Sequence, residues 1–249
     1  MAIILSRRLQ ALADAVPDGA KLVDVGTDHA YIPIYLTRHA RIQSAIATDV
    51  ADGPIRGAKR NVAESQLLDK ISVRQGDGLQ TIAPGEVDTI LIAGMGGGTA
   101  AQILRKSPEV VKAVTRLIIQ PMNAGHQIRR WLDEHGWSLV HEDLIVEDGR
   151  LYEYVVAARS GEVVSDAYRS WRDTADKLQF AYAFGPLLLA DCRNVETAQR
   201  LRQEVQQWQR ILTQMEESSN VNMVNRQTSL RQQCDIAESW LTACGEGSM

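Results

Sequence analysis

Cysteine is scarce in this chain of 249 residues, which has only Cys192, Cys234 and Cys244. Because the number is odd and no two of them form a CxxC pair, we expect neither a disulfide framework nor a structural zinc site. No apolar run approaches the roughly 20 residues of a membrane-spanning helix. The apolar start of the chain is too short for a signal peptide and lies before its arginines, not after them. We therefore expect a cytoplasmic protein that binds no metal and no membrane.

The chain also lacks an excess of positive charge. It has 27 lysines and arginines against 31 aspartates and glutamates, which gives a formal net charge of −4. The total charge therefore does not indicate a nucleic acid partner, although a local basic patch could still bind phosphates. Apolar residues make up 45% of the sequence and charged residues 23%. This composition excludes general disorder and allows one large core, or one core and a small second unit.

Strand-like apolar runs alternate with helical patterns over the first 160 residues. Strands are predicted at 21–25, 44–48, 71–75, 89–93, 116–119, 138–146 and 151–157, and helices at 5–16, 31–39, 53–65, 99–106 and 124–135. The alternation predicts an α/β fold with a mainly parallel sheet. Asp148-Gly149 is a hairpin signal between the last two runs, so the last strand should be antiparallel. This layout is typical of Rossmann-like methyltransferases.

After about residue 160 only helical patterns remain. A helix is predicted at 166–182, followed by a break at Phe184-Gly185-Pro186. Apolar residues then recur at helical spacing in two series: Ala198, Leu201, Val205, Trp208, Leu212 and Met215, then Met223, Leu230, Cys234, Ala237, Leu241 and Cys244. They predict an antiparallel helical hairpin with coiled-coil-like packing and these side chains in its core. We therefore expect domains at 1–160 and 161–249, with a boundary near 160–166.

Acidic residues mark the ends of three predicted strands. Asp24 lies just before Gly26, Asp49 follows the second strand, and Asp77 lies between two glycines after the third. Ligands of open α/β sheets bind at this edge. One carboxylate can accept hydrogen bonds from both ribose hydroxyls, and another can accept from an exocyclic amine. An acid after the second strand alone would fit NAD equally well, so Asp77 is the feature that favours an adenosyl ligand.

Two further loops at this edge carry glycines or polar residues. Gly94, Gly96 and two more glycines follow the fourth strand. They indicate that the backbone approaches a ligand closely. Because the sequence Gly-Lys-Ser/Thr is missing, the segment is not a phosphate-binding loop of the P-loop type. The polar segment 120–123 ends the fifth strand. The loop after the first strand lacks the later glycines of a dinucleotide fingerprint. It also has an ordinary interpretation, in which Thr27 or Asp28 caps the next helix.

Several segments resemble the bacterial tRNA (adenine-22 N1)-methyltransferases. They are LSRRL at 5–9, VDVGTDHAYIPIYL at 23–36, DGP at 52–54, VRQGDGL at 73–79, IAGMGGGTAAQIL at 92–104, QPMN at 120–123, EDGRLYEYVVA at 147–157 and FGPLLL at 184–189. Together they extend over nearly the whole chain, and VGTDHAY and AGMGG are specific to this family. Met122 departs from the pattern, since many relatives have asparagine directly after the proline. The resemblance implies a class I fold that uses S-adenosylmethionine and methylates N1 of adenine 22 in tRNA, with the helical domain gripping the tRNA.

On this resemblance, the cofactor site is predicted at Arg8, Asp24, Gly26, Thr27, His29, Asp49, Val50, Asp77, Gly78, Ala93, Gly94 and Gly96. Adenine N1 already carries a lone pair, so positioning matters more than a strong base. The product is positively charged, and we expect Asp28 to stabilise that charge and hold the N6 amine. Because N1 is hidden in a stacked base, the base must turn out, and Tyr31 and Met95 are expected to sandwich it. Tyr31 as a core residue and His29 as a bystander are the alternatives.

Candidate RNA contacts are the basic clusters Arg7-Arg8, Arg38-His39-Arg41, Arg56-Lys59-Arg60 and Arg129-Arg130, with Arg193, Arg200 and Arg202 in the helical domain. Basic residues on helices more often form solvated faces. Residues 162–249 have 9 basic and 12 acidic residues, so an RNA-binding domain there would have to segregate its charges. Two other functions stay open: methylation of a small molecule or protein with the helical hairpin as a dimerisation arm, and a binding module without catalysis. We expect a monomer.

Overall fold

The computed structural model describes residues 3–159, 166–217 and 224–246. The chain divides into two compact units, Met1–Ser165 and Asp166–Met249. Most of the predicted boundary at 160–166 lies outside the described residues, and so does Met223 of the predicted helical series. Each unit has its own cluster of buried apolar residues.

A seven-stranded sheet forms the centre of the first unit. Its strands are β1 (Ala20–Val25), β2 (Ile42–Asp49), β3 (Ile71–Gln75), β4 (Thr89–Met95), β5 (Arg116–Pro121), β6 (Ser138–Glu147) and β7 (Arg150–Ala158). The strand order is β3-β2-β1-β4-β5-β7-β6. β1 to β5 pair in parallel, and β7 lies antiparallel between β5 and β6. The predicted mainly parallel sheet with an antiparallel last strand is confirmed.

Helices accompany these strands in the first unit. They are α1 (Arg7–Asp14), α2 (Tyr31–Arg38), α3 (Asp52–Glu64), α4 (Gly97–Lys106), α5 (Pro108–Ala113) and α6 (Gly125–Glu134). The central strands bury nearly every side chain, for example Leu22 and Ile92, because a parallel sheet covered on both faces needs continuous apolar runs. Only α5 was not predicted, since its six residues are too few to show a periodic pattern.

The strand order reverses between β1 and β4. From β1 the chain builds outward to β2 and β3 on one side, and from β4 it builds to β5 on the other. In open α/β sheets the crevice for the ligand lies at this point, outside the carboxyl ends of the strands. The register aligns those ends, because Val25 pairs with both Thr48 of β2 and Ile92 of β4. The predicted ligand loops therefore share one edge of the sheet.

Arg129 is buried and is not part of an RNA-binding surface. Its side chain is 0% exposed on α6, and its guanidinium contacts Glu142 of β6 at 2.5 Å and Glu153 of β7 at 3.0 Å. The prediction that Arg129 contacts RNA is therefore wrong. A buried guanidinium is stable only when carboxylates neutralise it, and here the hairpin of β6 and β7 supplies two.

The second unit contains only helical structure in its described residues. A short 3₁₀ helix, Arg169–Trp171, precedes α7 (Ala175–Phe184), α8 (Pro186–Ala190), α9 (Val195–Glu217) and α10 (Val224–Glu246). The prediction of a single helix over 166–182 is wrong. α7 begins only after Thr174, whose side chain accepts a hydrogen bond from the Lys177 amide and so caps the start of the helix. The predicted break at Gly185 is confirmed, and this residue has φ +91°.

Side chains of both predicted apolar series form the core of this unit. The buried members are Leu201, Val205, Met215, Cys234, Ala237 and Cys244. Trp208 packs edge-on against Phe184 of α7, with ring centroids 5.8 Å apart. α9 and α10 pack against each other, as the two stripes predicted. The interpretation as core is confirmed for the buried members, whereas Ala198, Trp208, Leu212, Leu230 and Leu241 are half-buried.

Cys192 and Cys244 form a disulfide bond, although the sequence argued against a disulfide framework. Cys192 lies in the loop after α8, whereas Cys244 lies in the last turns of α10, 52 residues further along the chain. The count and spacing of cysteines carry no information about such a tertiary approach. Cys234 is the remaining free cysteine and is buried.

Candidate active site

A cavity of about 360 Å³ opens at the carboxyl ends of β1 and β4. It is lined by Arg8, Leu9, Asp24, Gly26, Thr27, Asp28, His29, Ala30, Tyr31, Ile32, Ala93 and Gly94. Most of the predicted cofactor and catalytic residues thus meet in one place. Six predicted residues lie outside this lining: Asp49, Val50, Asp77, Gly78, Met95 and Gly96.

The turn after β1 is fixed to the neighbouring strand. The amides of Gly26 and Thr27 both donate to the Thr48 carbonyl, at 2.8 and 2.9 Å. Gly26 has φ +76°, and a Cβ at this position would collide with the Met95 side chain. Only glycine can therefore turn here while Met95 packs against it.

Asp24 is the buried carboxylate of the site. Its Oδ2 accepts a hydrogen bond from the Thr27 hydroxyl at 2.7 Å. Burial raises the pKa of Asp24 from 3.8 to about 6; the bond from Thr27 opposes this shift, and the negative charge of Asp49 adds to it. A cationic group in the cavity would favour the ionised form. Asp24 is therefore suited to pair with an ammonium group.

Asp28 does not cap the helix that follows it. α2 begins after Ala30, which has φ +56° and offers no side-chain cap, while the Ala30 amide donates to the Thr27 hydroxyl at 3.1 Å. The Asp28 side chain is 75% exposed, and its Oδ2 lies 3.2 Å from His29 Nε2. The capping alternative for Asp28 is wrong, and the carboxylate is left at the mouth of the cavity. A left-handed alanine is strained, and the bond to Thr27 helps to hold it.

His29 and Tyr31 form an aromatic surface beside Asp28. Their rings stack with centroids 5.1 Å apart and an interplanar angle of 30°. Tyr31 is 40% exposed, so the alternative in which it is a core residue is wrong. A stacked pair of rings that lines a cavity, with Tyr31 exposed and His29 half-buried, is suited to contact a flat base.

Helix α3 holds the loop that carries His29. The Asn61 side-chain amide donates to the His29 carbonyl at 3.0 Å. Gly57, one turn earlier, faces the His29 ring so closely that a Cβ there would lie 3.1 Å from Nδ1. That Nδ1 is buried and has no hydrogen-bond partner among the described residues. Sequence reasoning missed Asn61 and Gly57, since nothing in their local pattern signals a contact with a loop about 30 residues away.

Arg8 reaches the cavity from α1. Its Nη1 donates to Gln120 Oε1 at 2.7 Å, its amide donates to Glu147 at 2.9 Å, and its guanidinium lies 5.2 Å from the centre of the Tyr152 ring. Its Nε is buried without a hydrogen-bond partner among the described residues, with Glu147 Oε2 at 3.7 Å. Arg8 is thus oriented by β5 and the β6–β7 hairpin, and it brings a positive charge to the lining of the cavity.

Asp49 and Asp77 form a more open rim beyond the cavity. Asp49 Oδ1 accepts from the Ala51 amide at 2.7 Å, and its carbonyl accepts from the Gly76 amide at 3.0 Å. Asp77 pairs with Lys106 at 3.1 Å. Val50, beside Asp49, is 68% exposed. The carboxylates of the second and third strand ends thus lie at the same edge as Asp24.

The loops after β4 and β5 are joined by backbone hydrogen bonds. The Met122 amide donates to the Met95 carbonyl at 2.8 Å, and the Gly97 amide donates to the Asn123 carbonyl at 2.9 Å. A Cβ at Gly97 would collide with the backbone of Ala124. The glycines of this segment therefore permit close backbone contact between two loops, a role that the prediction of ligand approach did not include.

The polar groups fit the two ends of S-adenosylmethionine. The guanidinium charge of Arg8 suits the carboxylate of the methionyl part, and buried Asp24 suits its ammonium group. Gly94 has φ +77° and nothing within 4 Å of the position of a Cβ, so the wall there is bare backbone. Asp49 lies one strand further out, at the end of β2. A cation, a buried carboxylate and bare backbone are the kinds of group that bind an amino acid joined to a nucleoside.

Over the described residues, no group of three or more histidine, cysteine, aspartate or glutamate side chains could hold a metal ion. Likewise, none of the described helices is both long enough and apolar enough to cross a membrane.

Comparisons with known proteins identify the family of this chain. Residues 5–155 match the model of the methyltransferase domain family. The chain is 39% identical over 219 residues to the tRNA (adenine(22)-N(1))-methyltransferase of Bacillus subtilis strain 168, with 87% of each chain covered. The crystal structure of the B. subtilis M1A22 tRNA methyltransferase aligns with a TM-score of 0.85 at 34% identity, over 96% of this chain and 100% of that one. A putative tRNA (m1A22) methyltransferase of Streptococcus pneumoniae, in complex with S-adenosyl-L-methionine, aligns with a TM-score of 0.77 at 32% identity, with the same coverage. The chain belongs to the tRNA (adenine(22)-N1)-methyltransferase family.

Proposed function

We propose that the protein transfers a methyl group from S-adenosylmethionine to N1 of adenine 22 in tRNA. The observation that carries this proposal is the cavity at the ends of β1 and β4, which joins Arg8 and Asp24 to the exposed group of Asp28, His29 and Tyr31. The first pair suits the methyl donor, and the second group suits a flat, exocyclic-amine-bearing acceptor. Membership of the family adds the identity of the acceptor.

The cofactor is held by charges at one end and by hydrogen-bond acceptors at the other. Arg8 binds the carboxylate and Asp24 the ammonium group, while Asp49 accepts from the ribose hydroxyls and the segment at Asp77 and Gly78 borders the adenine. When bound, S-adenosylmethionine supplies an electrophilic methyl group. The bare backbone at Gly26 and Gly94 lets the chain approach the ligand without a side chain between them.

The protein contributes position and charge to the acceptor. Adenine N1 has its own lone pair, so no side chain has to remove a proton before attack. Asp28 accepts a hydrogen bond from the N6 amine and stabilises the positive charge that the ring acquires. Because N1 lies on the Watson–Crick edge, the base must leave its stack, and Tyr31, His29 and Met95 receive it.

The helical unit binds the tRNA, and the enzyme acts as a monomer in the cytoplasm. α9 exposes Arg202, whereas Arg193 contacts Asp191 and Arg200 donates to the Ala183 carbonyl. Of the three predicted contacts in this unit, Arg202 is thus the best placed to meet phosphate.

Nucleoside mass spectrometry of tRNA after incubation with the enzyme and S-adenosylmethionine tests the function. We expect 1-methyladenosine in a tRNA transcript with adenine at position 22 and none in the matched transcript with guanine there. If the protein binds S-adenosylhomocysteine but leaves every tRNA unmodified, the proposed acceptor is wrong and a small-molecule or protein substrate replaces it.

A further inference from the structure

Helix α3 carries an unusual concentration of free positive charge. Arg56, Lys59 and Arg60 are all exposed and lie within two turns of the helix. None of these three side chains makes a hydrogen bond or an ion pair with any residue that the structure describes. Residues three and four apart on a helix have Cβ atoms about 5–6 Å apart, so the three cations form one continuous surface, here called the α3 ridge.

The other basic clusters are not made up entirely of exposed side chains without partners. In each of them the protein itself engages at least one cation: Arg8 by Gln120, Arg41 by Asp18, Arg129 by Glu142 and Glu153, and Arg193 by Asp191. A cation already paired with a carboxylate offers less charge to an incoming phosphate. Among the predicted candidates, the α3 ridge is therefore the cluster in which every member is exposed and uncommitted.

The neighbouring face of α3 is in contact with the proposed catalytic loop. Gly57 faces the His29 ring, and Asn61 donates to the His29 carbonyl. Arg56 precedes Gly57 and Arg60 precedes Asn61 in the sequence, so the two arginines lie on the helix face next to the one that holds this loop. The ridge consequently adjoins the face of α3 that contacts the His29 loop, where the acceptor base is expected to bind.

We propose that the α3 ridge binds the phosphodiester backbone of the RNA substrate next to the flipped adenine. This inference rests on the proposed function, because it takes tRNA as the substrate. The net charge of the chain is −4, so attraction to RNA has to come from local clusters. A phosphate contact at this position would fix the nucleotides beside the target and leave its base free to enter the cavity.

A matched pair of charge-reversal variants tests the proposal. Arg56→Glu with Arg60→Glu changes the ridge, and Lys21→Glu with Lys70→Glu makes the same change in total charge elsewhere. Lys21 lies near the start of β1, and Lys70 directly precedes β3. Both are exposed and lie at the amino ends of these strands, whereas the site lies at the carboxyl ends. Dissociation constants for tRNA are measured by fluorescence anisotropy over a series of salt concentrations, together with the KM for tRNA in methyl transfer.

We expect the ridge variant to bind tRNA at least tenfold more weakly at low salt, with a slope of log K against log salt reduced by about 1.5, since each lost phosphate contact accounts for about 0.7–0.9. The KM for tRNA should rise in parallel, while kcat at saturating tRNA and the affinity for S-adenosylhomocysteine stay within twofold. The control variant should weaken tRNA binding less than threefold. Arg56→Gln with Arg60→Gln should give an intermediate loss.

Equal losses in the ridge and control variants would show an effect of total charge and overturn the proposal. So would a ridge variant that binds tRNA normally, or one that loses affinity for S-adenosylhomocysteine, because the helix would then act only through the catalytic loop. If the wild type binds tRNA through the ridge but methylates none, the proposed function fails while the ridge stands.

Discussion

The inner wall of the site and its outer rim hold their carboxylates in different ways. On the wall, Asp24 is buried and bonded to Thr27, within a turn whose amides are fixed to β2. On the rim, Asp77 is half exposed and pairs with Lys106 at the surface. The wall is organised before any ligand binds, whereas the rim is open to water. We therefore expect the wall to hold the ligand in a fixed position and the rim to add affinity.

The largest effect should come from Asp28, which lies on the loop of the wall but faces solvent. Asp28→Asn keeps an acceptor and removes the charge, so we expect kcat for tRNA to fall by about 10²-fold, the order seen when a charge-stabilising group is removed. Affinity for S-adenosylhomocysteine, measured by calorimetry, should stay within twofold. Asp69→Asn, an exposed acid before β3, is the control. An unchanged kcat in the Asp28 variant would show that this carboxylate does not stabilise the product.

A smaller effect, on the affinity for S-adenosylhomocysteine, should distinguish the two rim carboxylates, Asp49 and Asp77. Asp49→Ala should raise the dissociation constant for S-adenosylhomocysteine by about 30-fold, because a charged hydrogen bond contributes about 2 kcal/mol. Asp77→Ala should raise it only a few-fold, since that carboxylate is already paired with Lys106. Calorimetry of both variants makes the comparison. If Asp49→Ala binds like the wild type, Asp49 is not part of the site.

The smallest effect is the change with pH in the affinity for S-adenosylhomocysteine, which we expect Asp24 of the wall to cause. Because the pKa of Asp24 is raised to about 6, its carboxyl is largely protonated below that pH, and affinity for S-adenosylhomocysteine should fall about tenfold for each unit below pH 6. The free protein should show the opposite trend: a raised carboxyl pKa means that stability is lost as pH rises from about 4 through 6. Asp24→Asn should flatten the affinity profile and become more stable relative to the wild type over that range. A pH-independent affinity in the wild type would exclude Asp24 as the partner of the ammonium group.

The sequence predicted the sheet and the inner wall well, because both depend on local patterns. Apolar runs ending in Asp24-Val-Gly26 or Ala93-Gly94 identify strand ends, and parallel strands place those ends at one edge. It did not predict the side chains that orient the site from a distance. Asn61 acts on His29 across 32 residues, and Gln120 acts on Arg8 across 112. Such contacts depend on how elements pack, which periodicity does not encode.

The buried guanidinium of Arg129 affects the order in which the elements of the first unit can pack. The cation lies on α6, but both of its neutralising carboxylates come from strands that follow it in the chain. Without the β6–β7 hairpin, any packing that buried Arg129 would bury an unneutralised charge, which is strongly unfavourable. We therefore expect α6 to reach its final packing only once the hairpin has been synthesised, so that a chain shortened before β6 would lack a stable place for this helix.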